Sequence, residues 1–185
     1  MIPSPEEARI AVVVYPGVSE LDLGALLSGA AAPGLPAALT VARSRQSLRA
    51  AAGLIFTPGL MYAAVPAVRA VLIPSGDLGA LNRLARDPHT TRFLQEQLRR
   101  GSVLAACGSG ALLLARAGFL LGAEVGTDAQ ASQELQGALL DAGARQLRPG
   151  ELVPHGSLLT GPGGLHALEL AARLRDRVYM PAPPR

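Results

Sequence analysis

The feature that most constrains this fold is a stretch with no alternation in it. Arg9-Ile-Ala-Val-Val-Val-Tyr15 has strand length, is rich in β-branched residues and stops at Pro16-Gly17. A strand with one wet face alternates apolar and polar residues, whereas a run that is apolar throughout belongs in mid-sheet, covered on both faces, as in parallel sheets. Ala67 to Ile73 is a second strand, ended by Pro74-Ser75-Gly76-Asp77, and Val103 to Ala106 a third, ended by a glycine-rich turn. Helical patterns fill the gaps. Ser19 caps a helix over Glu20 to Ala30, and Leu78, Leu81 and Leu84 mark the apolar face of another. Asp87-Pro88 starts a third, which runs to Arg100.

Further along, Ala111 to Ala117 reads as a helix stopped by Gly118, Ala129 to Ala142 as one stopped by Gly143, and Leu165 to Arg177 as the last. Minor strands are expected at Leu39 to Ala42, Arg145 to Leu147, Glu151 to Val153 and Ser157 to Thr160. Ser47 to Ala51 and Leu54 to Thr57 suggest a small hairpin about Ala52-Gly53. Strand-helix alternation of this kind predicts an α/β fold, a flavodoxin-like and mostly parallel sheet sandwiched between helices. The 185 residues fit one domain over 1–185, with loose termini at 1–8 and 181–185.

Composition narrows the function. All 17 basic residues are arginines, set against 14 acids, and they are spread along the chain with no basic run longer than Arg99-Arg100. With 3% aromatic residues and no tryptophan there is no platform for base stacking, so no nucleic-acid partner is expected. A single cysteine excludes an internal disulfide, and His89, His155 and His166 lack metal-ligand spacing, so neither a metal nor a cofactor is implied. Met1-Ile-Pro-Ser-Pro-Glu-Glu7 has no signal-peptide pattern. Arg116 and Gly108-Ser109-Gly110 interrupt the most apolar stretch, so the expectation is a cytoplasmic protein without a membrane span.

Chemistry points to Ser102-Val-Leu-Ala-Ala-Cys-Gly-Ser-Gly-Ala-Leu-Leu-Leu-Ala115, where an apolar strand turns sharply into a helix. Such a strand-turn-helix resembles a nucleophile elbow, with Gly108 and Gly110 supplying a permissive backbone. A thiol at a helix amino end is biased toward thiolate, which makes Cys107 a candidate nucleophile; the competing reading is a small buried hydrophobe. Ser109 is a second candidate, with Asp128 or Asp141 and His155 or His166 following it in hydrolase order, although a helix-capping serine explains it more simply.

Four segments together resemble the ThiJ/PfpI superfamily: Ile10 to Gly24 with its Leu-Asp-Leu, Ala70 to Gly76, Ala105 to Gly122, and Leu159-Thr-Gly-Pro-Gly-Gly164. The nearest branch is that of isonitrile hydratases and the amidase-like sensor domains of AraC-type regulators. The resemblance implies a homodimer with a cysteine at the elbow, and it places the acid Asp22 beside that thiol. It also implies an oxyanion pocket at Pro74-Ser75-Gly76, where serine replaces the first glycine of a Pro-Gly-Gly turn. Two departures stand out. Aligning Gly110 to Gly122 with the family's elbow helix puts Gly108, not Cys107, at the nucleophile position. Asp128 stands where the branch has the histidine of Thr-His-Trp. A one-residue offset along a strand turns a side chain to the other face, while an inserted turn residue would restore it, and both remain open at this level.

Three functions follow. The first is a ThiJ/PfpI-like protein with a degenerate or displaced cysteine site that binds a small molecule or serves in stress. The second is a Cys-dependent enzyme such as an isonitrile hydratase. There Cys107 adds to the terminal carbon, Asp22 supplies and recovers the proton, and amides near Ser75, Gly76, Gly108 and Ser109 hold the substrate. In that reading Asp22 is a buried acid, against the plainer alternative of a solvated first-turn acid like Glu20. The third is a stand-alone ligand sensor acting through protein partners, since the sequence shows no room for helix-turn-helix modules after the α/β segment.

Overall fold

Every position of β1 (Ile10–Val13) and β6 (Ala70–Ile73) is buried, as their unbroken apolar runs require. The computed structural model describes residues 10–179; Arg9 and the expected loose ends at 1–8 and 181–185 lie outside the described residues. In chain order the elements are β1, α1 (Glu20–Ala30), β2 (Leu39–Ala42), β3 (Leu48–Arg49), β4 (Ile55–Phe56), β5 (Leu60–Met61) and β6. They continue with α2 (Leu78–Arg86), α3 (Pro88–Arg99), β7 (Val103–Cys107), α4 (Ala111–Arg116), β8 (Glu124–Thr127) and α5 (Gln133–Asp141). The last are β9 (Gln146–Pro149), β10 (Val153–His155), β11 (Leu158–Gly161) and α6 (His166–Tyr179).

Seven strands form the main sheet in the order β10-β11-β7-β6-β1-β2-β5, and only β10 runs antiparallel to its neighbour. From β1 the chain crosses to β2 in one direction, while β6 to β7 and β7 to β11 step in the other. Right-handed crossovers in opposite senses put their helices on opposite faces. Accordingly α1 packs along α6, whereas α2 packs on α3 and α4, and α4 on α5. Close approach of α1 to α6 depends on Gly29, where a Cβ would strike the Leu168 carbonyl oxygen and lie 2.9 Å from Ala171 Cβ.

The hairpin pairs Leu48 with Phe56 and Arg49 with Ile55, with Gly53 at its tip. Two strands were not anticipated. β5 adds two residues to the sheet edge beside β2, and β8 pairs in parallel with β9 as a separate ribbon packed on β11, where Gly126 N donates to Thr160 Oγ1 (2.8 Å). The helix expected from Ala129 starts instead at Gln133, because the Ser132 hydroxyl accepts from Leu135 N (3.2 Å) and fixes the first turn there. β10 lies two residues beyond its expected start, at Val153. No helix among the described residues is long and apolar enough to cross a membrane.

Candidate functional site

The carboxyl ends of β1, β6, β7 and β11 converge, and the loops leaving them are stitched together by backbone. Ser19 N donates to Ser75 O (2.8 Å) and Asp77 N to Gly17 O (2.9 Å), tying the loop after β1 to the turn after β6. Tyr15, at 1% exposure, donates its hydroxyl to Pro74 O (2.7 Å) and anchors the same turn from beneath.

Cys107 is the final residue of β7, extended at φ −116° and ψ 145°, opposite Gly161 in β11. The turn that leads into α4 begins one residue later, at Gly108, whose φ of +50° lies in the left-handed region that favours glycine. A Cβ at Gly108 would collide with Ser75 Oγ and lie 2.9 Å from Asp128 Oδ2. Gly108 therefore holds the strained corner, and the space where a corner side chain would project contains the Ser75 hydroxyl and an Asp128 oxygen. The Cys107 side chain has its own partners. It is fully buried, donates to Asp22 Oδ2 (3.2 Å) and lies 3.6 Å from Ile73 O. Burial pushes this thiol well above its ordinary pKa, and the Asp22 charge beside it adds in the same direction.

Asp22 sits in the first turn of α1, its own N–H capped by Ser19 Oγ (3.2 Å). The solvated-acid alternative fails here, because Asp22 is 3% exposed and fully engaged. Its Oδ2 accepts from Ser75 N (3.0 Å) as well as from the thiol, and its Oδ1 accepts from Gly164 N (2.7 Å). Glu20 takes the surface role: its carboxylate accepts from Ala52 N (2.9 Å) and Leu54 N (3.1 Å), and these amides, Ala52 first, lower its pKa.

Two of the amides expected to hold a substrate oxygen, those of Ser75 and Gly76, are already occupied. Ser75 N donates to Asp22, and Gly76 N to Ser109 Oγ (2.9 Å). Ser109 in turn donates to Gly76 O (2.9 Å), and Ser75 Oγ donates to Cys107 O (3.1 Å). Ser109 is thus neither a helix cap, since α4 has no side-chain cap, nor part of a triad. Asp141, His155 and His166 are exposed and share no hydrogen bond with it.

Asp128 does belong to the site. Its Oδ1 accepts from Gly163 N (2.7 Å), next to the Gly164 amide that holds Asp22. A Cβ on Gly163 would lie 2.7 Å from Asp22 Oδ2 and 2.8 Å from Ser75 Oγ, so the Gly163-Gly164 turn closes over both side chains. The sequence carries both halves of this clamp, Leu159-Thr-Gly-Pro-Gly-Gly164 and Asp128, without showing that they meet. What was lacking was the pairing of two adjacent amides with two carboxylates more than thirty residues away on either path.

Comparison with known proteins adds the lineage. A sequence model of the DJ-1/PfpI family matches residues 8–175. No curated protein matches the chain. Among solved structures, a ThiJ/PfpI family protein from Pseudomonas syringae is similar, at a TM-score of 0.76 and 22% identity over 97% of this chain and 78% of that one. DJ-1beta from Drosophila melanogaster superposes at a TM-score of 0.76 and 20% identity, covering 92% of this chain and 90% of that one. A two-domain protein from Anabaena variabilis, with DJ-1/ThiJ/PfpI-like and ferritin-like domains, gives a TM-score of 0.77 and 22% identity over 96% of this chain. The match spans 50% of that two-domain protein. At such identities the likeness speaks for the fold.

Proposed function

The chain belongs to the DJ-1/PfpI family, and from that premise we propose that it is a member without a working thiol nucleophile, one that binds a small molecule and does not turn it over through cysteine. The observation that carries this is the glycine at the elbow: Gly108 occupies the φ +50° corner while the thiol of Cys107 is fully buried against Asp22. Occupied amides at Ser75 and Gly76 support the same reading, since an oxyanion needs free donors. The protein is further proposed to be a cytoplasmic homodimer.

The test is alkylation of Cys107 by iodoacetamide, followed by intact mass, in native and unfolded protein at pH 7 to 9. Native protein is expected to stay unmodified over the time in which unfolded protein reacts completely. Rapid native alkylation, or turnover of an isonitrile, a 2-oxoaldehyde or an amide that Cys107→Ala abolishes, would sink the proposal.

One observation favours the Cys-dependent alternative, of which isonitrile hydration is the best-defined form: the 3.2 Å contact between thiol and carboxylate, a donor and acceptor suited to proton exchange. It requires the buried sulfur to reach a ligand. The alkylation result therefore separates the two readings.

A further inference from the structure

Beyond the carboxyl ends of β1 and β2, against α2, lies a cavity of about 320 Å³ that shares Tyr15 with the elbow network. Val14, Tyr15, Leu48 and Leu84 give it apolar walls, and Arg43 and Arg83 stand at its rim. In open α/β sheets ligands settle in crevices outside strand carboxyl ends, and this cavity lies beyond two of them, beside the β1–β6 pair at which the crossovers diverge. The volume suits a small ligand.

Both guanidinium groups are loosely held. Arg43, 65% exposed, is 3.5 Å from Asp87 Oδ1, but that carboxylate already accepts from His89 N (3.3 Å) and Thr90 Oγ1 (2.9 Å) at the start of α3. Arg83, 74% exposed, is 4.0 Å from Asp77 Oδ2, which caps α2 through Ala80 N (2.7 Å). Exposed pairs at such separations hold their partners weakly, so most of the N–H donors on both arginines stay available. Asp87 also lines the cavity, which disfavours a dianion more than a monoanion.

We propose that this cavity binds a small monocarboxylate with an apolar body. The carboxylate is taken by Arg43 and Arg83, which match it with paired donors, and the body lies against Val14, Leu48 and Leu84. The site adjoins the elbow through Tyr15 but does not depend on what Cys107 does.

Hexanoate is the probe, titrated into the full chain and followed by tyrosine emission. Two of the three tyrosines, Tyr15 and Tyr62, line the cavity, and there is no tryptophan background. Saturable binding is expected, absent with hexylamine or chloride at equal concentration. Arg43→Gln combined with Arg83→Gln is expected to raise Kd by about tenfold or more, each lost charge-assisted contact contributing on the order of that factor, while the circular dichroism spectrum is retained. Cys107→Ala should bind as the parent does. Failure of hexanoate to saturate, equal binding of hexylamine, or an unchanged Kd in a folded double variant would each overturn the proposal.

Discussion

A buried thiol with a raised pKa has a consequence for stability that can be signed in advance. In the folded chain Cys107 keeps its proton, held by burial and by the Asp22 charge, while in the unfolded chain it ionises near pH 8.5. Above that pH the folded state binds more protons than the unfolded one. The contribution is therefore complete below about pH 8.5 and declines as pH rises, by at most about 1.4 kcal/mol per pH unit for one proton. Cys107→Ala should flatten the fall in unfolding free energy between about pH 8.5 and 10, the range below ordinary tyrosine ionisation. Urea denaturation across that range is the measurement, and an unchanged slope would mean that the thiol titrates alike in both states. Tyr15, raised chiefly by burial, and Tyr62, pushed up to about 12 by burial, add the same sign of effect only at higher pH. At this scale the family resemblance implied an acid, Asp22, beside the thiol, while the sequence left open whether Cys107 or Gly108 holds the corner. Gly108 holds it in the left-handed region, and the neighbours that leave no room there for a side chain, Ser75 and Asp128, come from distant parts of the chain.

Where elements meet, two substitutions separate local propensity from packing. Gly29→Ala within α1 would gain about 1 kcal/mol of helix propensity. The added Cβ, however, meets the backbone oxygen of Leu168 and Ala171 Cβ in α6, and overpacking of this kind costs about 1 to 3 kcal/mol. Net destabilisation is expected, seen as a lower urea midpoint, and a raised midpoint would mean that the α1–α6 contact yields easily. Ser132→Ala removes the hydroxyl that accepts from Leu135 N at the start of α5 and should lower stability by about 1 kcal/mol. A loss below the error of the midpoint would show that the amide finds another acceptor. Cap chemistry also governed what could be read in advance. Ser19 and Asp87-Pro88 stand at the starts of α1 and α3 as their sequence signals state. Ala129 to Ala131 continue the apolar spacing of α5 without being helical, because Ser132 caps later. β5 and β8 were not legible for a different reason. One has two residues, and the other, Glu124-Val-Gly-Thr127, carries a charge and a glycine. Each is a strand by virtue of its neighbour's backbone, β2 in the first case and β9 in the second.

Over the whole molecule, the proposed self-association has a definite place to act. The Glu20 carboxylate fixes the β3–β4 hairpin to the start of α1, bringing Leu54 (54% exposed) and Ile55 (65%) to the same end of the fold as Leu21 (58%). Leu165, the most exposed large hydrophobic residue among the described residues at 76%, follows the Gly164 turn, where a Cβ would touch Leu21 Cδ2 at 3.9 Å. Scattered exposed leucines need no explanation, but several on adjoining elements are where the proposed self-association would act. A stable homodimer buries about 800 Å² per partner, more than these four side chains supply alone, so they would form the apolar centre of a larger patch with a polar rim. Light scattering after gel filtration is expected to give twice the 19.0 kDa chain mass. Leu21→Arg together with Ile55→Arg should return the mass to a single chain, because two unpaired cations at an interface centre are costly to desolvate. Both side chains are exposed in the single chain, so the variant should keep its far-ultraviolet spectrum and its urea midpoint. A monomeric parent at micromolar concentration would remove self-association from the account, and a variant that stays dimeric would move the interface off this end of the fold.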